Sequence, residues 1–163
     1  MEPILDKARA GQNDLERIAN AIPGFKGYRE KELRRDADRL QREHLASRLE
    51  ECKKALNDHA AAATRSGGLD AITEIETARK RLDKAINRIR YADRGYAGFF
   101  DTIKVDEGML ARVYEFDLGL LADVEAVRET TGWTQQAVSG MIVRLDALDA
   151  RLAEREQVLS GIK

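Results

Sequence analysis

Apolar residues recur along this chain at steps of three and four, and nowhere do they alternate at steps of two. A period of about 3.6 residues puts side chains on one face of a helix, whereas a half-buried strand needs period two. The pattern restricts the chain to helices that bury their stripes against other helices. Only two prolines interrupt 163 residues, and 35% of the residues are charged, a balance that suits long solvated helices better than sheets.

Five periodic segments can be read. The first carries Ile4, Leu5, Ala8, Leu15, Ile18, Ala19 and Ile22, with Pro3 in its first turn and a break or bend expected at Gly11-Gln12-Asn13. Pro23-Gly24-Phe25-Lys26-Gly27 stops it in a tight reversal. A second helix is expected over residues 28–63. Its seam runs Leu33, Ala37, Leu40, His44, then slips one residue to Leu45, Leu49, Cys52, Leu56 and Ala60. Residues 64–68 turn the chain, Asp70 is expected to cap a third helix on Ile72, Ile75, Leu82, Ile86 and Ile89, and the two form a coiled-coil-like hairpin. Asp106 caps a fourth helix that ends at Gly132, and Thr134 caps a fifth through Val138, Met141, Leu145, Leu148, Leu152, Leu159 and Ile162. Nothing marks a domain boundary, so the expectation is one all-α domain over residues 1–163, an elongated antiparallel bundle of four to five helices.

Several chemistries find no support. Neither His44 nor His59 has a Glu three residues upstream, so the Glu-x-x-His pairs of a dinuclear metal bundle are missing, and no metal or other cofactor is expected. Gly67-Gly68 follows no strand, which argues against a nucleotide cradle. The lone Cys52 lies on the apolar seam and reads as a buried, inert thiol. Acidic and basic residues interleave at helical spacing, the habit of solvated faces rather than of paired catalytic carboxylates. The chain is therefore expected to be no enzyme, and no small-molecule substrate is evident.

One cysteine allows no intramolecular disulfide, residues 1–7 lack a basic then apolar leader, and no run of about 18 apolar residues occurs, so a cytoplasmic protein is expected. The formal net charge is −1, so no global field draws the molecule to nucleic acid. Residues 1–95 hold 21 Lys or Arg against 17 Asp or Glu, while residues 96–163 hold 7 against 12, giving +4 and −5. The two parts either pair within one chain or make the surface self-complementary for a homo-oligomer. The stretch Arg29, Lys31, Arg34, Arg35, Arg39, Arg42 is the best polyanion candidate, yet Glu30, Glu32, Asp36, Asp38 and Glu43 dilute it, so nucleic acid stands as a second alternative.

The segment most suggestive of function is Arg90-Tyr91-Ala92-Asp93-Arg94-Gly95-Tyr96-Ala97-Gly98-Phe99-Phe100-Asp101. It holds four of the nine Phe, Tyr and Trp residues of the chain. Gly95 and Gly98 oppose a simple continuation of the third helix. The rings either plug the end of the bundle or form an anchor for a protein partner, with Tyr91, Arg94, Tyr96, Phe99 and Phe100 as the candidate binding residues. This segment and Ile22-Pro23-Gly24-Phe25-Lys26-Gly27-Tyr28 resemble parts of uncharacterised bacterial helical-bundle proteins over roughly residues 22–120. The resemblance implies a bacterial origin and no activity. In outline the long hairpin is also similar to membrane-stress scaffold proteins, although the first helix lacks the strongly apolar face and basic flank of a surface binder. The expected function is thus a non-enzymatic cytoplasmic scaffold or adaptor, with a peripheral regulator at a membrane surface or membrane complex as the alternative.

Overall fold

The computed structural model describes residues 2–92, 105–129 and 135–160, and within them the chain is all-helical. The helices are α1 (Glu2–Ala21), α2 (Arg34–Arg65), α3 (Leu69–Arg90), α4 (Glu107–Arg128) and α5 (Gln135–Ser160), with a 3-10 turn at Lys31–Leu33. At about 1.5 Å per residue α2 spans roughly 48 Å.

The helices α2 and α3 form an antiparallel hairpin, tied by Lys53 to Asp83 at 2.6 Å and Arg79 to Asn57 at 3.4 Å. The hairpin α4–α5 is antiparallel too, with Asp117 facing Arg155 and Asp123 facing Arg151. The hairpins then pack in parallel register. Arg48 of α2 reaches Glu125 of α4, while Glu74, Arg81 and Arg88 of α3 meet Ser139, Asp146 and Glu156 of α5. Leu49, Leu56, Leu82, Val124 and Leu148 are fully buried between them. Truncating any one of these leucines to Ala should cost about 2–5 kcal/mol. Along α4 lies α1.

Several expected boundaries move. Gly11 does not break α1. A Cβ at Gly11 would sit 2.9 Å from Ala111 Cβ, so the glycine lets α1 and α4 approach closely there. The second helix begins at Arg34 rather than residue 28, because Phe25 and Tyr28 are drawn out of helical geometry into the core. Its seam does not slip at His44. It runs Arg34, Asp38, Gln41, Leu45, Leu49, Cys52 and Leu56 as one stripe whose first three members are polar, while Leu33, Leu40 and His44 are only half-buried. Asp70 does not cap α3: Gly68 holds the cap position and Asp70 lies inside the first turn. Asp106 does cap α4, accepting from the Met109 N–H at 2.8 Å. That helix ends at Arg128, before Gly132. Gly132, Thr134 and Ile162 lie outside the described residues.

Candidate functional site

The chain reaches its buried centre through the turn after α1. Gly27 has φ +86°, and a Cβ there would lie 2.6 Å from Tyr114 Oη and 2.8 Å from Leu15 Cδ1, so only glycine fits. The bend lets Tyr28 stack on Tyr114, with ring centroids 5.8 Å apart, while its backbone N–H donates to Tyr114 Oη at 2.9 Å. Phe25 closes the cluster edge-on.

Beneath these rings lies a sealed polar network. Arg155 of α5 donates from Nε to Asp117 Oδ1 at 2.6 Å and from Nη2 to Asp38 Oδ1 at 2.9 Å, and Nη2 also reaches Tyr28 Oη at 3.1 Å. Tyr28 Oη lies 2.8 Å from Asp117 Oδ2 and 3.0 Å from Gln41 Oε1. A phenol has one proton, and the shorter contact to a carboxylate is the stronger claimant. Gln41 then serves the phenol oxygen best with its NH2 group turned toward it, consistent with Nε2 having no hydrogen-bond partner among the described residues where it now points. Arg34 Nε donates to the Tyr28 carbonyl at 2.7 Å and Arg42 Nε to Asp38 Oδ2 at 2.7 Å.

Asp117 is 0% and Arg155 3% exposed. Burial pushes the Asp117 carboxyl above its ordinary range, with the charge and hydrogen bond of Arg155 opposing it. Burial and the neighbouring Asp117 charge push the Tyr28 phenol well up, which keeps it protonated and donating. Closed on itself, the arrangement fixes the register of α2, α4, α5 and the Tyr28 turn. It also reaches outward, because Arg42 Nη1 donates to the Arg90 carbonyl at 2.7 Å and so holds the C-terminal end of α3.

At that end stands Tyr91, its N–H bonded to the Asn87 carbonyl at 3.0 Å and its side chain 72% exposed. Tyr91 therefore does not plug the bundle. Arg94, Tyr96, Phe99 and Phe100 lie outside the described residues, as does Lys104. The arginines just before it are engaged: Arg88 with Asp149 at 2.7 Å and Glu156 at 3.1 Å, Arg90 with Glu50 at 3.0 Å.

Of the basic stretch, Lys31, Arg35 and Arg39 are exposed, but several of its members are engaged. Arg34 is buried and Arg42 turns to Asp38, while Arg29 pairs with Glu107 at 2.7 Å and Arg39 lies between Asp36 and Glu43. Cys52 is buried, and burial raises its thiol to about 11, the inert state expected of it. His44 lines a surface groove rather than packing inside. Arg34, Asp38, Gln41, Asp117 and Arg155 escape a search for apolar stripes, although their register was a signal. Asp117 follows Val113 by four and precedes Leu120 by three, and Arg155 sits between Leu152 and Leu159 at the same steps.

No family model matches the chain, and neither a curated protein nor a solved structure is found to be similar to it.

Proposed function

We propose that this chain is a non-enzymatic helical scaffold or adaptor of the cytoplasm that binds a protein partner through the aromatic segment 91–100 and adjoining helix faces. The observation that carries the reading is Tyr91, a large aromatic 72% exposed on a base held by the Arg42–Arg90 hydrogen bond. An aromatic anchor on a fixed base loses little conformational freedom when a partner covers it, which is how a few rings come to dominate interfaces. Arg94, Tyr96, Phe99 and Phe100 follow within nine residues in the sequence and complete the candidate set. Among the described residues no helix is long and apolar enough to cross a membrane.

Tyr91→Ala tests the reading. Because the ring is exposed, the variant should keep its unfolding free energy within about 0.5 kcal/mol, as surface substitutions do. Its yield of specifically captured protein from the native host should fall. A large loss of stability with undiminished capture would contradict the proposal.

A further inference from the structure

A groove of about 660 Å³ runs along α4 with α1 on one side and α2 on the other. Leu118, Leu121 and Ala122 form its apolar floor. Two arginines, Arg17 and Arg48, line the groove beside this floor. Arg17 is exposed and makes no ion pair among the described residues. Arg48 is only loosely paired, its buried Nε 3.4 Å from Glu125 and its Nη1 3.6 Å from Glu51, and its side chain is partly exposed. Glu125 is the single carboxylate of the lining, so the rim carries an excess of positive charge with His44 beside it.

From this geometry we propose that the groove receives a short amphipathic helix of a protein partner, its apolar face on Leu118 and Leu121 and its flanking carboxylates on Arg17 and Arg48. Length and charge decide the occupant. From Leu118 to Glu125 is seven residues, about 10 Å of helix axis or two turns, the reach of an i, i+3, i+7 set of anchors. The unpaired guanidinium of Arg17 and the loosely paired one of Arg48 suit a carboxylate, which a guanidinium can bind through two N–H groups. The inference rests on the reading of the chain as a protein-binding module and adds a second surface to it.

The test uses the full chain and two fluorescein-labelled synthetic helical peptides. One presents leucines at i, i+3 and i+7 with flanking glutamates; its twin carries lysines in place of the glutamates. The glutamate peptide should give saturable anisotropy and bind at least tenfold more tightly than its twin. Ala122→Trp fills the groove from an exposed position and Arg17→Glu reverses the rim, and each should weaken the glutamate peptide at least tenfold without lowering the melting temperature. Equal binding of the two peptides, no binding, or indifference to both substitutions would overturn the groove. Partner capture that depends on Tyr91 but survives Ala122→Trp while the peptide fails would overturn the groove alone and leave the proposed function standing.

Discussion

Single residues carry more of this fold than its stripes suggest. Arg155 bridges two buried carboxylates from different helices, and removing it would leave Asp117 without its counter-charge in a dry interior, while Asp38 keeps Arg42. Arg155→Ala should therefore cost about 3–5 kcal/mol in urea unfolding, near the upper end for point substitutions. A loss below about 1 kcal/mol would mean that water reaches Asp38 and Asp117. His44 gives a pH signature. Burial, with help from Arg48, lowers its pKa from the ordinary 6.5. The unfolded chain then takes up a proton that the folded chain resists, so this contribution to stability is present above pH 6.5 and is lost as pH falls from there through the lower folded value. His44→Gln should flatten the stability profile in that window, read as the urea midpoint between about pH 7.5 and 5.5.

At the scale of elements, the docking of α1 depends on a backbone approach that no apolar pattern announces. Gly11→Leu improves helix propensity by roughly 0.8 kcal/mol in isolation but drives a side chain into Ala111. Hydrogen exchange should show α1 losing protection while α2, α3 and α5 keep theirs. Uniform protection in the variant would place the α1–α4 contact elsewhere. Helices α3, α4 and α5 are legible because Ile75, Leu82, Val124 and Leu148 sit on apolar stripes that only a helix presents together. The start of α2 is hidden because Arg34, Asp38 and Gln41 occupy core register as polar residues, which a hydrophobicity search counts as solvent-facing. Their partners Asp117 and Arg155 are 79 and 117 residues further along than Asp38, and no local pattern can report such pairing. Of the candidate partner-binding residues, Tyr91 could be singled out by composition alone, but not its exposure.

Over the whole molecule, the opposite charges of the two parts of the sequence meet inside one chain. Arg81, Lys84 and Arg88 of α3 face Asp146, Asp149 and Glu156 of α5, and Arg29 faces Glu107. Asp149 shows the effect: burial alone would raise its carboxyl, yet Arg88 and Lys84 hold it below the ordinary range. Exposed pairs of this kind contribute about 0–1 kcal/mol each. They bias how the hairpins align, while the sealed Tyr28–Asp38–Asp117–Arg155 network fixes the alignment and passes it through Arg42 to the end of α3.

There the proposed partner contact begins, and photo-crosslinking tests it most directly. With p-benzoylphenylalanine in place of Tyr91 in the full chain, irradiation in the native host should give a discrete heavier species containing one identifiable second protein. The same substitution at exposed Lys54 on α2 should give none. Equal crosslinking from both positions, or crosslinking from position 91 only within the chain itself, would contradict the account.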